Sequence, residues 1–326
     1  MFQTELNLWL QQADAPWLVG LMQFITRLGK DEFYQLGLLV VLSGFSYQRG
    51  LWVAQTLIAT SVLTDWCKEA LMLPRPYQID DRVRSMGRDA SEVYLHAAGA
   101  RGFWQALPAD TVAHMRAIGE LSWGLPSSHV STAVAFWGSL IWQFRARLLL
   151  LLGLGVIALM PLSRLYLGRH FLADVLAAML LGAVVLGLLL GLIKPWLQTQ
   201  LELKNQREQA PRLSRLHWQM ALLLPLLLWA VFGSIESAGM LLGLQLAGLC
   251  CQYWRWPTER GSGRQRLLRV LITLTIFAGA HAAIKSSGGA PVTVLAGFLF
   301  QALKTAVLFG LSFAICQRFR LFGNDG

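Results

Sequence analysis

The sequence predicts an all-α fold: a polytopic membrane helical bundle with about nine transmembrane spans. Three observations carry this expectation. The 326-residue chain is 55% hydrophobic and only 14% charged, whereas soluble domains average about 25% charged residues. Its mean hydropathy is +0.48. Apolar runs approaching the ~20 residues that a helix needs to cross the hydrocarbon core recur along its length.

In chain order, the candidate spans are 33–48, 51–67, 130–144, 147–163, 170–193, 217–233, 238–254, 267–284 and 291–315. Ahead of them, residues 14–28 (APWLVGLMQFITRLG) are apolar and amphipathic, as suits a helix at the membrane interface. The polar, acidic start MFQTELNLWLQQADAP does not read as a secretory leader. Alternate connections carry Arg49, then Arg145 and Arg147, then Lys194, Lys204, Arg207, Arg212 and Arg215, then Arg255 to Arg269. The positive-inside rule makes these connections cytoplasmic and the N-terminus external. The expected organisation is a five-span block, 1–193, with a long outer loop at 77–123. A cytoplasmic linker, 194–216, leads to a four-span C-terminal block, 217–326, whose role the sequence does not reveal.

Composition also limits the classes of function. The net charge of +10 suits cytoplasmic loops beside anionic lipid rather than nucleic acid, because no aromatic-basic recognition motif accompanies it. Cys67, Cys250, Cys251 and Cys316 lie in or beside apolar runs, and no pair has zinc-ligand spacing. In the outer loop, Asp110 is the expected N-cap of a short amphipathic helix. Phe103 and Trp104 suit a membrane surface, so the loop reads as a cap that helps choose substrates. Lys304 falls inside the last span, where a charge is costly without a partner.

Three polar clusters map to the outer side: Lys68 with Arg75 and Pro76, then Pro126-Ser127-Ser128-His129, then SRLYLGRHFLAD from Ser163 to Asp174. Cations gathered at one surface repel one another unless an anion sits among them, and phosphate oxygens fit arginine forks. His170 and Asp174 are four apart on one helix face. The carboxylate there can fix the imidazole tautomer and leave the other nitrogen free to attack. His129, at the start of another helix, can stand opposite and protonate a leaving oxygen. The same His and Asp residues could in principle hold a metal, but the surrounding Lys and Arg argue against a cation site.

The pattern Lys68-x6-Arg75-Pro76, Pro126-Ser127-Ser128-His129, Ser163-Arg164-x5-His170-x3-Asp174 resembles the type 2 phosphatidic acid phosphatase superfamily. These membrane lipid phosphatases share their site with vanadium haloperoxidases. The resemblance implies a phosphohistidine mechanism with His170 as nucleophile, Asp174 as its orienting partner and His129 as the acid for the leaving group. Lys68, Arg75, Ser127, Arg164 and the backbone near Ser128 would bind phosphate. That scheme requires no metal or other cofactor. Ser128 departs from the glycine usual in the family. The N-terminal region and the extra C-terminal spans more weakly resemble the sphingosine-1-phosphate phosphatase-like branch.

The implied partners are the bilayer and a lipid phosphate or diphosphate, hydrolysed at the periplasmic face of a bacterial inner membrane. Undecaprenyl diphosphate, phosphatidic acid, phosphatidylglycerol phosphate and long-chain-base phosphates all remain open as substrates. The oligomeric state is not legible. A lipid phosphotransferase using the same site and a lipid transporter or flippase are the alternative readings.

Overall fold

The computed structural model describes residues 1–86, 92–119, 121–199, 215–253, 261–286 and 293–322. All the regular elements among them are helical. Their contacts divide the chain into two compact units, Met1–Tyr34 with Leu63–Leu188, and Gln35–Val62 with Leu189–Gly326.

The first unit opens with α1 (Glu5–Gln11) and α2 (Pro16–Arg27). Pro16 starts α2, where its missing N–H costs nothing, and Arg27 in the last turn complements the helix dipole. The amphipathic stretch read at 14–28 is this helix. It buries Met22 and Ile25, while Trp17 and Phe24 face outward. The α3 helix (Asp31–Val40) begins in this unit, and α4 (Tyr47–Leu71) ends in it. After the short α5 (Pro76–Ile79) come α6 (Ala109–Ile118), α7 (Ser128–Phe144), α8 (Arg147–Tyr166) and α9 (Leu172–Leu186).

The α7 helix packs on both α8 and α9, and α2 packs on α8. Their core combines Met22, Ile25, Val130, Ala133, Met160, Tyr166, Val175 and Ala178. Within the outer-loop segment, Leu107 and Met115 pack with Ile79 and Phe171, so apolar burial joins this loop to the start of α9. The helix α6 begins two residues earlier than the sequence predicts. Pro108 occupies the cap, and Asp110 sits in the first turn, where it favours the dipole without capping by its side chain. The loop aromatics Phe103 and Trp104 meet edge to face at 4.9 Å and are both exposed.

In the second unit, α4 starts after a π-helical turn, Val41–Phe45. The α10 helix (Arg215–Phe232) precedes α11 (Ile235–Tyr253), α12 (Gly263–Ser286) and α13 (Val294–Arg318). The tightest pairing is α11 with α13. Gly239 and Gly243 permit it: a Cβ at Gly239 would lie 2.5 Å from the Phe298 carbonyl oxygen, and one at Gly243 would collide with that of Ala302. Arg269, fully buried, donates to the Gly44 carbonyl at 3.1 Å and lies 5.1 Å from the centre of the Phe322 ring. The Lys304 ammonium, the charge within the last span, lies 5.6 Å from the ring centre of Phe300 on its own helix.

Among the described residues, four helices are long and apolar enough to cross a membrane: Arg147–Tyr166, Leu172–Thr199, Gly263–Ser286 and Val294–Arg318. Leu222–Phe232 and Ile235–Cys251 are apolar but shorter. The α4 helix carries Gln55, Thr56, Thr60 and Thr64 on buried positions, which lowers its apolar density although it has 25 residues. Most of the linker expected at 194–216, with Lys204, Arg207 and Arg212, lies outside the described residues. So do residues 87–91 and 120 of the outer loop, and Arg255 and Arg260.

Candidate active site

The turn between α8 and α9 positions the His170–Asp174 pair. Gly168 adopts φ +71, and a Cβ there would come within 2.5 Å of the Arg84 carbonyl oxygen, so glycine fits both the backbone and the space. Beyond it the chain extends through Phe171 into α9, placing Asp174 in the first helical turn. One carboxylate oxygen, Oδ2, accepts from the Phe171 N–H at 3.0 Å and lies 3.2 Å from His170 Nδ1. Nδ1 is therefore the protonated nitrogen, and Nε2 keeps its lone pair. Both side chains are buried, at 1% and 0% exposure.

The start of α7 supplies the second histidine. Ser127 precedes the helix in extended conformation but does not cap it through its side chain. Its buried Oγ has no hydrogen-bond partner among the described residues. The first peptide N–H groups of such a helix lack intrahelical acceptors and suit an anion. Ser127 N–H donates to the Asp174 carbonyl at 3.1 Å, linking this helix start to that of α9. His129 is half-buried and packs against Gly29, where a Cβ would lie 2.8 Å from His129 Cδ2.

Three cations reach the site from separate elements. Lys68, near the end of α4, donates to Ser128 Oγ at 2.5 Å. Arg75 lies just before α5, its backbone held by Pro76 and by a 2.7 Å bond from its N–H to Gln78 Oε1. Its guanidinium donates to the Ser122 carbonyl at 2.9 Å and to Ser122 Oγ at 2.7 Å. Arg164, 6% exposed, starts a short relay. Its Nη1 donates to Thr26 Oγ1 at 3.2 Å, Thr26 and Ser163 hydroxyls lie 3.1 Å apart, and Ser163 donates to the Met160 carbonyl at 2.8 Å. Arg164 Nε and Asp174 Oδ1 are buried without partners among the described residues.

Arg164, Arg75, Lys68 and His129 all act electrostatically on His170. Burial, reinforced by the two arginines and Lys68, pushes the His170 imidazole well below its ordinary range, so the ring is neutral at neutral pH. Arg169, beside the motif, lies 5.2 Å from the centre of the Tyr77 ring and acts on both Arg75 and Arg164. Against these positive groups stand the Asp174 carboxylate and that of Asp65, which acts on Lys68. Such a surplus of buried, incompletely paired cations favours an anionic guest.

Each residue singled out from sequence thus has a definite place. His170 contacts Asp174, Lys68 contacts Ser128, and Ser127 is bonded to Asp174 through the main chain. Arg75 and Arg164 are held by Ser122 and Thr26, neither of which sequence reasoning had marked. The only available signal for Thr26 was its place in the amphipathic stretch 14–28. Ser163, to which the sequence assigned no chemical role, aligns the arginine through Thr26.

Residues 49–197, the segment holding every one of these motif residues, match the model of the PAP2 superfamily. No curated protein sequence matches the chain. Among solved structures, a transmembrane PAP2-type phosphatidylglycerolphosphate phosphatase from Bacillus subtilis is similar at 20% identity. The similarity covers 59% of this chain and 84% of that one, with a TM-score of 0.41.

Proposed function

We propose that the protein is an integral membrane phosphatase that hydrolyses a lipid phosphate or diphosphate through a phosphohistidine intermediate. One observation chiefly supports this reading: a buried His170–Asp174 pair stands among Lys68, Arg75 and Arg164, with Ser127 Oγ and Arg164 Nε unpartnered beside it. In the first step, His170 Nε2 forms a bond to phosphorus as the ester P–O bond breaks, and His129 gives its proton to the departing lipid oxygen. In the second, water attacks phosphorus, His129 takes a proton from it, and the P–N bond breaks to release phosphate and neutral His170. Asp174 stabilises the charge that develops on the imidazole. The arginines, Lys68, Ser127 and the first N–H groups of α7 bind the phosphoryl oxygens, whose charge spreads in the transition state.

The membrane reading extends to about nine spans with the site at the periplasmic face of a bacterial inner membrane. The outer loop 77–123 then lies beside the lipid headgroups. The test is phosphate release by the purified protein from a panel of lipid phosphates, with His170→Ala as control. Rapid acid or base quenching with ³²P-labelled substrate follows the intermediate. An acid-labile, base-stable phosphoprotein in wild type that disappears in His170→Ala is the expected result. Equal phosphate release by the two proteins would sink the mechanism.

A further inference from the structure

The segment ahead of α2 is bound to the catalytic turn by a run of polar contacts. Asn7 and Gln11 lie four residues apart on one face of α1, and both are buried, at 0% and 4% exposure. Asn7 Nδ2 donates to the Leu165 carbonyl at 2.8 Å and to the His170 carbonyl at 3.1 Å. Both facing atoms are carbonyl oxygens, so only the amide nitrogen can face them. Gln11 Nε2 donates to the Tyr166 carbonyl at 3.0 Å and to the Arg84 carbonyl at 2.8 Å. Around these, Thr4 Oγ1 donates to Asp80 at 2.6 Å, and Ala173 N–H donates to the Met1 carbonyl at 3.3 Å.

We propose that Asn7 is a positioning residue for His170, an inference that rests on the hydrolase reading above. Leu165 follows Arg164 in the chain, so one side-chain amide ties the peptide beside the phosphate-gripping arginine to the peptide of the nucleophile. At the end of α8 the Leu165 carbonyl accepts from Gly168 N–H at 3.1 Å, and Asn7 joins this carbonyl to that of His170 through one amide nitrogen. Without it, the Leu165 carbonyl keeps the Gly168 N–H at 3.1 Å, but the buried His170 carbonyl must find another donor, and the turn moves to do so. His170 moves with the turn, while the cations that hold the phosphoryl group stay on α4, α8 and the segment before α5. Substrate binding then survives better than turnover, since a misplacement of about 1 Å at a reacting group can cost on the order of 10²-fold.

Gln11 provides an internal control. From the same helix it makes two bonds to neighbouring carbonyls and accepts a third from Arg84 N–H at 3.0 Å, but makes none to His170. The experiment compares full-length wild type, Asn7→Ala, Asn7→Ser and Gln11→Ala. Phosphate release is measured from dioctanoyl phosphatidic acid and p-nitrophenyl phosphate, and thermal unfolding is followed with and without orthovanadate. Vanadate takes an imidazole nitrogen as a ligand, so its affinity reports the placement of His170 independently of turnover. Asn7→Ala is expected to lower kcat by about 10–100-fold with KM within about threefold, and to weaken vanadate about tenfold. Asn7→Ser, which perturbs packing less, shows the same direction should Asn7→Ala fail to fold. Gln11→Ala is expected to change kcat by less than about threefold. Equal losses in the Asn7 and Gln11 variants, or an unchanged kcat and vanadate affinity in the Asn7 variants, would overturn the inference. A wild type that binds vanadate through His170 but releases no phosphate overturns the hydrolase reading instead, and the vanadate comparison still decides the role of Asn7.

Discussion

The peptide N–H of Ser127 donates to the main-chain carbonyl of Asp174 at 3.1 Å, so the first turns of α7 and α9 share a hydrogen bond. Through it, the helix start that presents His129 is fixed to the helix start that carries the carboxylate. Gly124 lies against the same carboxylate: a Cβ there would sit 2.9 Å from Asp174 Oδ2 and 3.0 Å from the Pro74 carbonyl oxygen. Gly124→Ala should therefore displace Asp174 and lower kcat by on the order of tenfold or more. Steady-state kinetics beside a melting curve checks this, since the expected loss of turnover exceeds the loss of fold.

Asp174→Asn keeps the size of the side chain and an oxygen able to accept from Phe171 N–H, but removes the charge that supports the histidine. An expected fall in kcat of about 10²–10⁴, the range spanned by positioned acid–base groups, should come with nearly unchanged vanadate binding. Pre-steady-state phosphoenzyme formation is the measurement, and a rate within threefold of wild type would remove Asp174 from the mechanism.

The acid side of the pH profile should lie low. Burial and the charges of Arg164, Arg75 and Lys68 hold the His170 pKa well below 6.5. The attacking lone pair is therefore present through neutral pH and is lost only as pH falls through that lowered value. The acid limb of kcat/KM is expected below pH 6.5. In Arg75→Gln it should move to higher pH, because one repelling charge is gone and the proton binds more readily. A limb that stays in place in this variant contradicts the electrostatic account.

What the sequence disclosed and what it hid divide along a physical line. His170 and Asp174 were legible because one helical turn fixes their spacing, and the cations because charge in an apolar chain demands a reason. Ser122, Thr26 and Asn7 were not, because a hydroxyl or amide on an amphipathic segment looks the same whether it meets water or a buried partner far along the chain. Asp110 was read as a cap because its residue type favours that place, yet the helix begins at Ala109 after Pro108. The span count was harder still. In α4, buried Thr56, Thr60 and Thr64 make a 25-residue helix look less apolar than its neighbours.

Orthovanadate or inorganic phosphate should stabilise the fold by relieving repulsion among Lys68, Arg75 and Arg164. At about 100 times its dissociation constant, a ligand specific for the folded state adds about 2.7 kcal/mol. The melting temperature should rise accordingly in wild type, and markedly less in Arg164→Gln or Ser127→Ala. An equal rise in all three would place the anion elsewhere.

Asp80 should make stability pH-dependent. Burial opposes its ionisation, but hydrogen bonds from Arg82 and Thr4 outweigh burial and hold the carboxylate below its ordinary range. Its contribution is therefore complete above the ordinary aspartate pKa of about 3.9 and is lost as pH falls through the lowered folded value. Asp80→Asn should lower the melting temperature at pH 7 by about 2–4 °C per kcal/mol lost, and should narrow the gap from wild type as the pH approaches 3. A gap independent of pH would show that the charge of Asp80 does not act.

The bonds from Asn7 to Leu165 and His170 also set an order of events at the ribosome. Their donor precedes α7 and α8 in the chain, and the His170 acceptor is made only after both helices. The segment of α1 must wait unclasped while those helices form, and His170 gains its bond from Asn7 only once the turn before α9 has emerged. The turn that carries His170 is thus complete only when α1 closes over it.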